Sequence, residues 1–247
     1  MILYPLLDID HLARGGGIMI RSERMKGIKK IISPHKFFIT RDLEKFTDYL
    51  YNMGLLQENI IVADIGGGKS PYQELFDRFK ATYISIDILK TPRTSIIGNA
   101  QHLPLKNGVD IVLLIEVAEH LPNPKITLQE INRVLKKRGY LIITTPLIIG
   151  IHDNVDYFRY TDRALEMLLA EAGFEIIKKN PRGGIFSVLS SVFFYIPMEV
   201  SGSRICRFFL YIFVIPLVIC FKIIDSCHLD MANNWTLGYD ILAIKKD

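Results

Sequence analysis

The sequence predicts an α/β fold. Its core is a doubly wound, mostly parallel sheet with an antiparallel last strand, joined by an N-terminal helical appendage and an apolar helical insertion before that last strand. Three observations predict it. Short β-branched apolar runs alternate with helical stripes at close intervals, the pattern of right-handed βαβ units covered on both faces. The runs at 60–62 and 111–115 are continuously apolar, as strands buried on both sides are. The stretch VADIGGGKSPY, residues 62–72, sets three consecutive glycines directly after the first run. A Rossmann-like sheet brings backbone close to a ligand at such a place.

Taken in order, residues 1–59 read as the appendage, with 42–51 its clearest helix, and 60–247 as the main domain. The run 60–64 (IIVAD) opens the sheet, and 72–80 follows with helical spacing. Ser70 as a cap and Pro71 at the first helical position are the start signals. Strand-like runs recur at 82–88 (TYISIDI), 94–98 and 109–117 (VDIVLLIEV). After Pro124, ITLQEINRVLKK carries Ile126, Leu128, Ile131, Val134 and Leu135 as a helical stripe. Gly139 stops it before the strand 140–145 (YLIITT). Residues 162–172 form a helix ended by Gly173, 174–178 a strand, and 237–244 the last strand.

A chain of 247 residues supports one α/β domain with additions, and a hydrophobic fraction of 49% excludes wholesale disorder. The net charge of +4 is mild. The basic clusters at 21–30 and 136–138 read as solvated helix faces, so nucleic acid is not an expected partner. Cys206, Cys220 and Cys227 are odd in number and lack metal-ligand spacing. They suggest a reducing compartment, no disulfide framework and no metal site. The N-terminus, MILYPLLDIDHL, has no basic region ahead of its apolar residues and reads as no secretory signal. The expected location is cytoplasmic.

Four strand ends carry polar residues at one edge of the predicted sheet. Asp64 with Gly66 and Gly68 ends the first, Asp87 the second, Gly98-Asn99-Ala100 the third, and EVAEH (116–120) the fourth. Together they outline one crevice. A carboxylate such as Asp87, about twenty residues after the glycine loop, can accept both hydroxyls of a ribose. The loop lacks the third glycine of GxGxxG, which disfavours a dinucleotide dehydrogenase.

The series DIGGGKSPY, YISIDI, GNAQHLPL, VDIVLLIEVAEHL and LQEINRVLKKRGYLIITTP resembles the class I S-adenosylmethionine-dependent methyltransferases over roughly half the chain. It is most similar to the branch with EH after the fourth strand and a DYxRYT-like segment after the fifth. The resemblance implies S-adenosyl-L-methionine as cofactor. Asp64, Gly66 and Gly68 would shape the loop for its methionine part. Asp87 would hold the ribose, Ile88 would pack on the adenine with Asn99 and Ala100 along its edge, and Glu116 would lie near the sulfonium. Asn99 stands where many relatives carry an acid, and Ser70 where glycine is frequent.

On the acceptor side, His120 and His152 are the candidate general bases. Tyr157 and Arg159, in HDNVDYFRYTD (152–162), are candidate acceptor contacts, although Thr161 also reads as a helix cap and Arg159 as an ion-pair partner. Between the last two strands lies an insertion, 183–235, with an uncharged run FFLYIFVIPLVICF at 208–221. The run is shorter than the roughly twenty residues a span needs, Pro216 would kink it, and the last strand should rejoin the same sheet on the same side, so a monotopic membrane insertion is favoured over a spanning helix. A buried or dimer-forming helix pair stays open, and Arg204, Arg207 and Lys222 suit the headgroup level.

The expected function is methyl transfer to a hydroxyl of a lipid-linked or surface-polysaccharide sugar, or of a lipid, at the cytoplasmic face of a membrane. The sugar is what the resemblance implies, since relatives with the DYxRYT-like segment look like members of glycan-assembly pathways. Two alternatives remain: methylation of a soluble small molecule, and a non-catalytic cofactor-binding subunit of a membrane complex.

Overall fold

The computed structural model describes residues 34–68, 71–200, 202–227 and 235–247. Among them, one sheet is built from β1 (Ile61–Ile65), β2 (Thr82–Asp87), β3 (Ile96–Ile97), β4 (Val109–Ile115), β5 (Leu135–Pro146), β6 (Phe174–Pro181) and β7 (Gly238–Lys245). The order across it is β3-β2-β1-β4-β5-β7-β6. β1 pairs in parallel with β2 and β4, and β4 with β5. β7 runs against both β5 and β6. The expected fold is therefore present, with its reversed strand in the expected place. The chain winds outward in opposite directions from β1 and β4, so the crevice of an open α/β sheet falls at their carboxyl ends.

Both faces are covered. On one, α2 (Pro124–Val134) and α3 (Asp162–Glu171) bury Leu128, Ile131, Val134, Leu165 and Leu169 against the sheet. Asn123 and Thr161 cap these helices through their side-chain oxygens. On the other lie α1 (Pro34–Asn52) and a 3-10 helix, Gln73–Phe79. Ile39, Leu43, Phe46 and Leu50 of α1 recur at helical spacing and pack with Phe76 and Phe79 onto Val62, Ile111 and Leu113. Fully burying such side chains contributes about 1.5–3 kcal/mol each. α1, expected in the appendage, packs onto the sheet, while residues 1–33 lie outside the described residues.

Several boundaries differ from the sequence reading. α2 ends at Val134 and Leu135 is already extended, so Lys136, Lys137 and Arg138 stand in β5 and not on a helix face, with Gly139 inside the strand. The cause is tertiary. Nδ2 of Asn107 donates to the Leu135 carbonyl at 2.7 Å, and Nζ of Lys245 donates to those of Asn132 and Leu135 at 2.6 and 2.9 Å. These distant donors satisfy the helix's last carbonyls. The helix after β1 starts at Gln73 and is 3-10 in form; Ser70, its expected cap, lies outside the described residues.

The insertion forms a helical hairpin, α4 (Ile185–Val200) and α5 (Arg204–Cys227), and α5 is continuous through Pro216. Oδ2 of Asp225 on α5 accepts from the backbone N–H groups of Gly184 and Ser187 at 2.6 and 3.0 Å, capping α4 across the base of the hairpin. Phe221 stacks between Phe186 and Phe193, with ring centroids 5.9 and 5.8 Å away. α4 in turn rests on α1, where Val188 packs with Phe38 and Leu237.

Candidate active site

A cavity of about 440 Å³ opens at the carboxyl ends of β1 and β4. Asp64, the glycines 66–68 and Glu116 line it from the sheet, His35, Lys36 and Ile39 from α1, and Tyr195 from α4. Its shape begins with the glycine loop. Gly66 has φ +72°, a left-handed conformation that glycine adopts without strain, and a Cβ there would lie 2.4 Å from Val117. At Gly67 a Cβ would lie 2.1 Å from Oδ2 of Asp64. The loop therefore folds directly over the carboxylate. Tyr83 donates its hydroxyl to Asp64 at 2.7 Å. Burial nevertheless pushes the Asp64 carboxyl up to about 7, against the Tyr83 hydrogen bond and helped by the Asp87 charge.

The predicted cofactor residues fall along one edge in the expected order, but not all in the cavity. Asp64, Gly66, Gly68 and Glu116 line it; Asp87, Ile88, Asn99 and Ala100 continue outward at the ends of β2 and β3. Asp87 links the two parts, its Oδ2 accepting from the Gly68 N–H at 2.9 Å and its Oδ1 from Leu89 N–H at 2.8 Å. Beside it Ile88 is 71% exposed, an apolar surface for a flat ring. Asn99 uses Oδ1 to accept from Gln101 N–H at 2.9 Å, and Ala100 is buried.

Glu116 is held by partners that no local spacing announces. Its Oε1 accepts from the Thr144 hydroxyl at 3.0 Å and from Nη2 of Arg182 at 2.6 Å. The same guanidinium donates through Nε to Asp240 at 2.6 Å, and its side chain is wholly buried. Burial would raise the Glu116 pKa, but the Arg182 charge and hydrogen bond outweigh it and hold it low. Asp240 is pushed upward by burial despite the same neighbour. One cation thus serves two carboxylates, and Glu116 keeps its charge at the cavity wall. Arg182 and Asp240 were missed by the sequence reading, since they are 66 and 58 positions from the groups they bind.

The residues expected on the acceptor side lie together, although none of them is among those lining the cavity. The loop after β5 is tied to the segment after β4: Tyr157 and Phe158 donate their N–H groups to the Glu119 carbonyl at 2.8 and 3.2 Å, and the Tyr160 hydroxyl donates to that of Ala118 at 3.0 Å. This brings the rings of His120 and His152 to 5.1 Å, nearly perpendicular. His120 turns Nδ1 onto the Val155 carbonyl. A carbonyl only accepts, so Nδ1 carries the proton and Nε2, 3.8 Å from Oε1 of Glu119 and 3.7 Å from Oδ2 of Asp153, is the basic atom. Tyr157 is exposed beside them. Arg159 instead staples its own loop, gripping both oxygens of Asp156 and donating to the Phe158 and Gly150 carbonyls. That guanidinium holds the Asp156 carboxyl far below the usual carboxylate range.

Glu119 was not singled out by the sequence. It is wholly buried, neither carboxylate oxygen has a hydrogen-bond partner, and burial, helped by the Glu116 charge, pushes its carboxyl up to about 8.

Residues 63–143 match the methyltransferase domain family. An uncharacterized protein of Methanocaldococcus jannaschii is 36% identical over 93 residues, 35% of this chain and 41% of that protein's length. Among solved structures, the chain is similar to a SAM-dependent methyltransferase from Archaeoglobus fulgidus. Identity there is 16%, coverage is 90% of this chain and 100% of that one, and the TM-score is 0.53. It is likewise similar to the 1,6-didemethyltoxoflavin-N1-methyltransferase of Burkholderia thailandensis, with 14% identity, 84% and 78% coverage and a TM-score of 0.53. The [4+2]-cyclase SpnF gives 16% identity, 82% and 80% coverage and a TM-score of 0.54. At these identities the structures report the fold alone.

Fold, glycine loop and family match agree: the chain carries a class I S-adenosylmethionine-dependent methyltransferase domain, with S-adenosyl-L-methionine as its cofactor. The residues present fit that group. A loop that a Cβ would obstruct leaves room for it, Asp64 and Glu116 offer negative charge to its ammonium and sulfonium, and Asp87 with Ile88 offers acceptors and an apolar surface to its nucleoside.

Proposed function

We propose that this chain methylates a hydroxyl of a lipid-linked or surface-polysaccharide sugar, or of a lipid, from the cytoplasmic face of a membrane. One observation carries the reading. The helix that puts Tyr195 into the wall of the cavity is also the first arm of a hairpin whose second arm displays apolar residues to its surroundings. On α5, Ile205, Phe208, Phe209, Ile212, Phe213 and Ile219 fall on one helical face (i, i+3, i+4, i+7, i+8 and i+14) and are exposed. The apolar window Ile205–Asp225 is 21 residues long and little of it is buried in the protein. A stripe of that kind suits the headgroup and upper acyl region, and a site whose wall is attached to it meets acceptors held in the same layer. The preference for a sugar rests on the resemblance of the 156–161 segment, DYFRYT, to relatives in glycan assembly.

When bound, the cofactor supplies an electrophilic methyl carbon. The chain's part is to position the acceptor and take its proton. Asp64, Asp87 and Glu116 hold the cofactor, so that the reacting groups start aligned. Nε2 of His120, set by the Val155 carbonyl, takes up the hydroxyl proton, with His152 beside it.

The test is to incubate detergent-purified full chain with methyl-labelled cofactor and separated lipid, lipid-linked glycan and soluble fractions. Label in a lipid or lipid-linked fraction is expected. Label confined to soluble acceptors would replace the membrane reading with the small-molecule one. Cofactor binding by calorimetry without any transfer would favour a non-catalytic subunit.

A further inference from the structure

We infer that Glu119, His120 and His152, in the segments that follow β4 and β5, form a binding site for one first-row divalent transition-metal ion. One ligand atom from each lies within 4.8 Å of the other two. The orientation of the groups argues for a cation more than their proximity does. Glu119 is 0% exposed, yet both its carboxylate oxygens lack a hydrogen-bond partner. A carboxylate left in that state loses the interactions that normally offset its burial. Oε1 faces Nε2 of His120 at 3.8 Å, and Oδ2 of Asp153 faces the same nitrogen at 3.7 Å. With Nδ1 of His120 bonded to the Val155 carbonyl, a neutral ring turns its Nε2 lone pair toward two carboxylates. Ligand atoms of Glu119, His120 and His152 then share one small space. A cation in that space resolves the conflict.

The surroundings are those of a ligand set. Metal-bound imidazoles are oriented by a carbonyl or carboxylate on the other ring nitrogen. His120 has the Val155 carbonyl; His152 has the Gly150 carbonyl 3.3 Å and Oδ2 of Asp156 3.4 Å from Nδ1. Asp156 is itself fixed by Arg159, whose role in the loop is then to hold the histidine's support in place. Two imidazoles and one carboxylate select zinc, manganese, cobalt or iron over magnesium and calcium, which prefer all-oxygen sets. Ligands about 2.1 Å from such an ion stand about 3.4 Å apart, close to the 3.8 Å between Oε1 of Glu119 and Nε2 of His120. A three-ligand set leaves a position open, so an acceptor hydroxyl can bind the ion there and lose its proton more readily. His120 and His152 then act as ligands, and the proton of that hydroxyl passes to solvent base. This last role rests on the methyl-transfer reading, whereas metal binding does not.

The experiment measures binding without cofactor or acceptor. Tag-free, chelator-stripped full chain is titrated with Zn²⁺ by calorimetry and with Co²⁺ by visible absorption. One equivalent of each is expected to bind at micromolar concentration, with Mg²⁺ at the same concentration giving no saturable signal. Glu119→Gln, His120→Ala and His152→Ala should each weaken Zn²⁺ binding at least tenfold, while His102→Ala, on an exposed turn away from the cluster, leaves it unchanged. Circular dichroism confirms that each variant is folded. Failure of the folded wild-type protein to bind Zn²⁺, or undiminished binding by any of the three cluster variants, overturns the site. Methyl transfer measured in parallel keeps the two readings apart: transfer that persists in metal-free protein leaves the histidines as bases and removes only the ion.

Discussion

β4 and α5 are made of the same kinds of residue and treat them in opposite ways. In β4, Ile111, Val112 and Leu113 are wholly buried between two helical layers. In α5, Phe213 is 77% and Ile205 71% exposed, and Val218 is the fully buried apolar residue of the helix among the described side chains. The difference teaches that apolarity marks a need for cover and does not say what supplies it. The sheet is covered by the chain's own helices. Among the described residues α5 packs chiefly on α4 and leaves its other side exposed, and a contiguous exposed apolar surface marks an interaction site. Lipid is the occupant proposed above; a second copy of the chain would leave the same stripe.

Three experiments break or sharpen the contrast. The largest effect belongs to the buried charges at its centre. Arg182→Met leaves Asp240 fully buried and Glu116 at the cavity wall without their shared cation, and breaking such a cluster costs up to about 3–5 kcal/mol. Denaturant titration should show that loss; a change under 1 kcal/mol would mean that the carboxylates are already neutral.

Next comes the contrast itself. Leu113→Ala in β4 should cost about 2–5 kcal/mol by opening a cavity. Phe213→Ser in α5 should stay within about 0.5 kcal/mol in detergent, yet lower flotation with anionic vesicles. Equal losses of stability would show α5 to be core. Unchanged flotation together with a lower oligomeric state would assign the stripe to a second copy.

The last test is in pH. Burial holds the Asp64 carboxyl at about 7, above its ordinary value near 4. Between those values the folded chain keeps a proton that the unfolded chain has lost. Its contribution to stability therefore falls as pH rises through that window and is lost above pH 7. Pairing with the cofactor's ammonium needs the ionised form, so affinity should climb roughly tenfold from pH 6 to pH 8. Calorimetry on Asp64→Asn should find that rise abolished; an unchanged slope would remove Asp64 from the cofactor site.

What the sequence by itself determined is what depends on neighbours along the chain. Continuous apolar runs marked the buried strands, Thr161 and Gly173 marked the ends of α3, and the glycine loop with Asp87 marked one sheet edge, because each rests on backbone conformation within a few residues. What only tertiary structure decided is what distant segments complete together. α2 stops at Val134 because Asn107 and Lys245 reach its last carbonyls. Glu116 keeps its charge because Arg182, 66 positions away, is buried against it. His120 and His152 meet because the loop after β5 bonds back to the carbonyls of Ala118 and Glu119, and that fold-back left the Glu119 carboxylate buried without a partner. Hydrogen bonds and charges act through space, so no spacing in the sequence records them until the sheet brings its strand ends together.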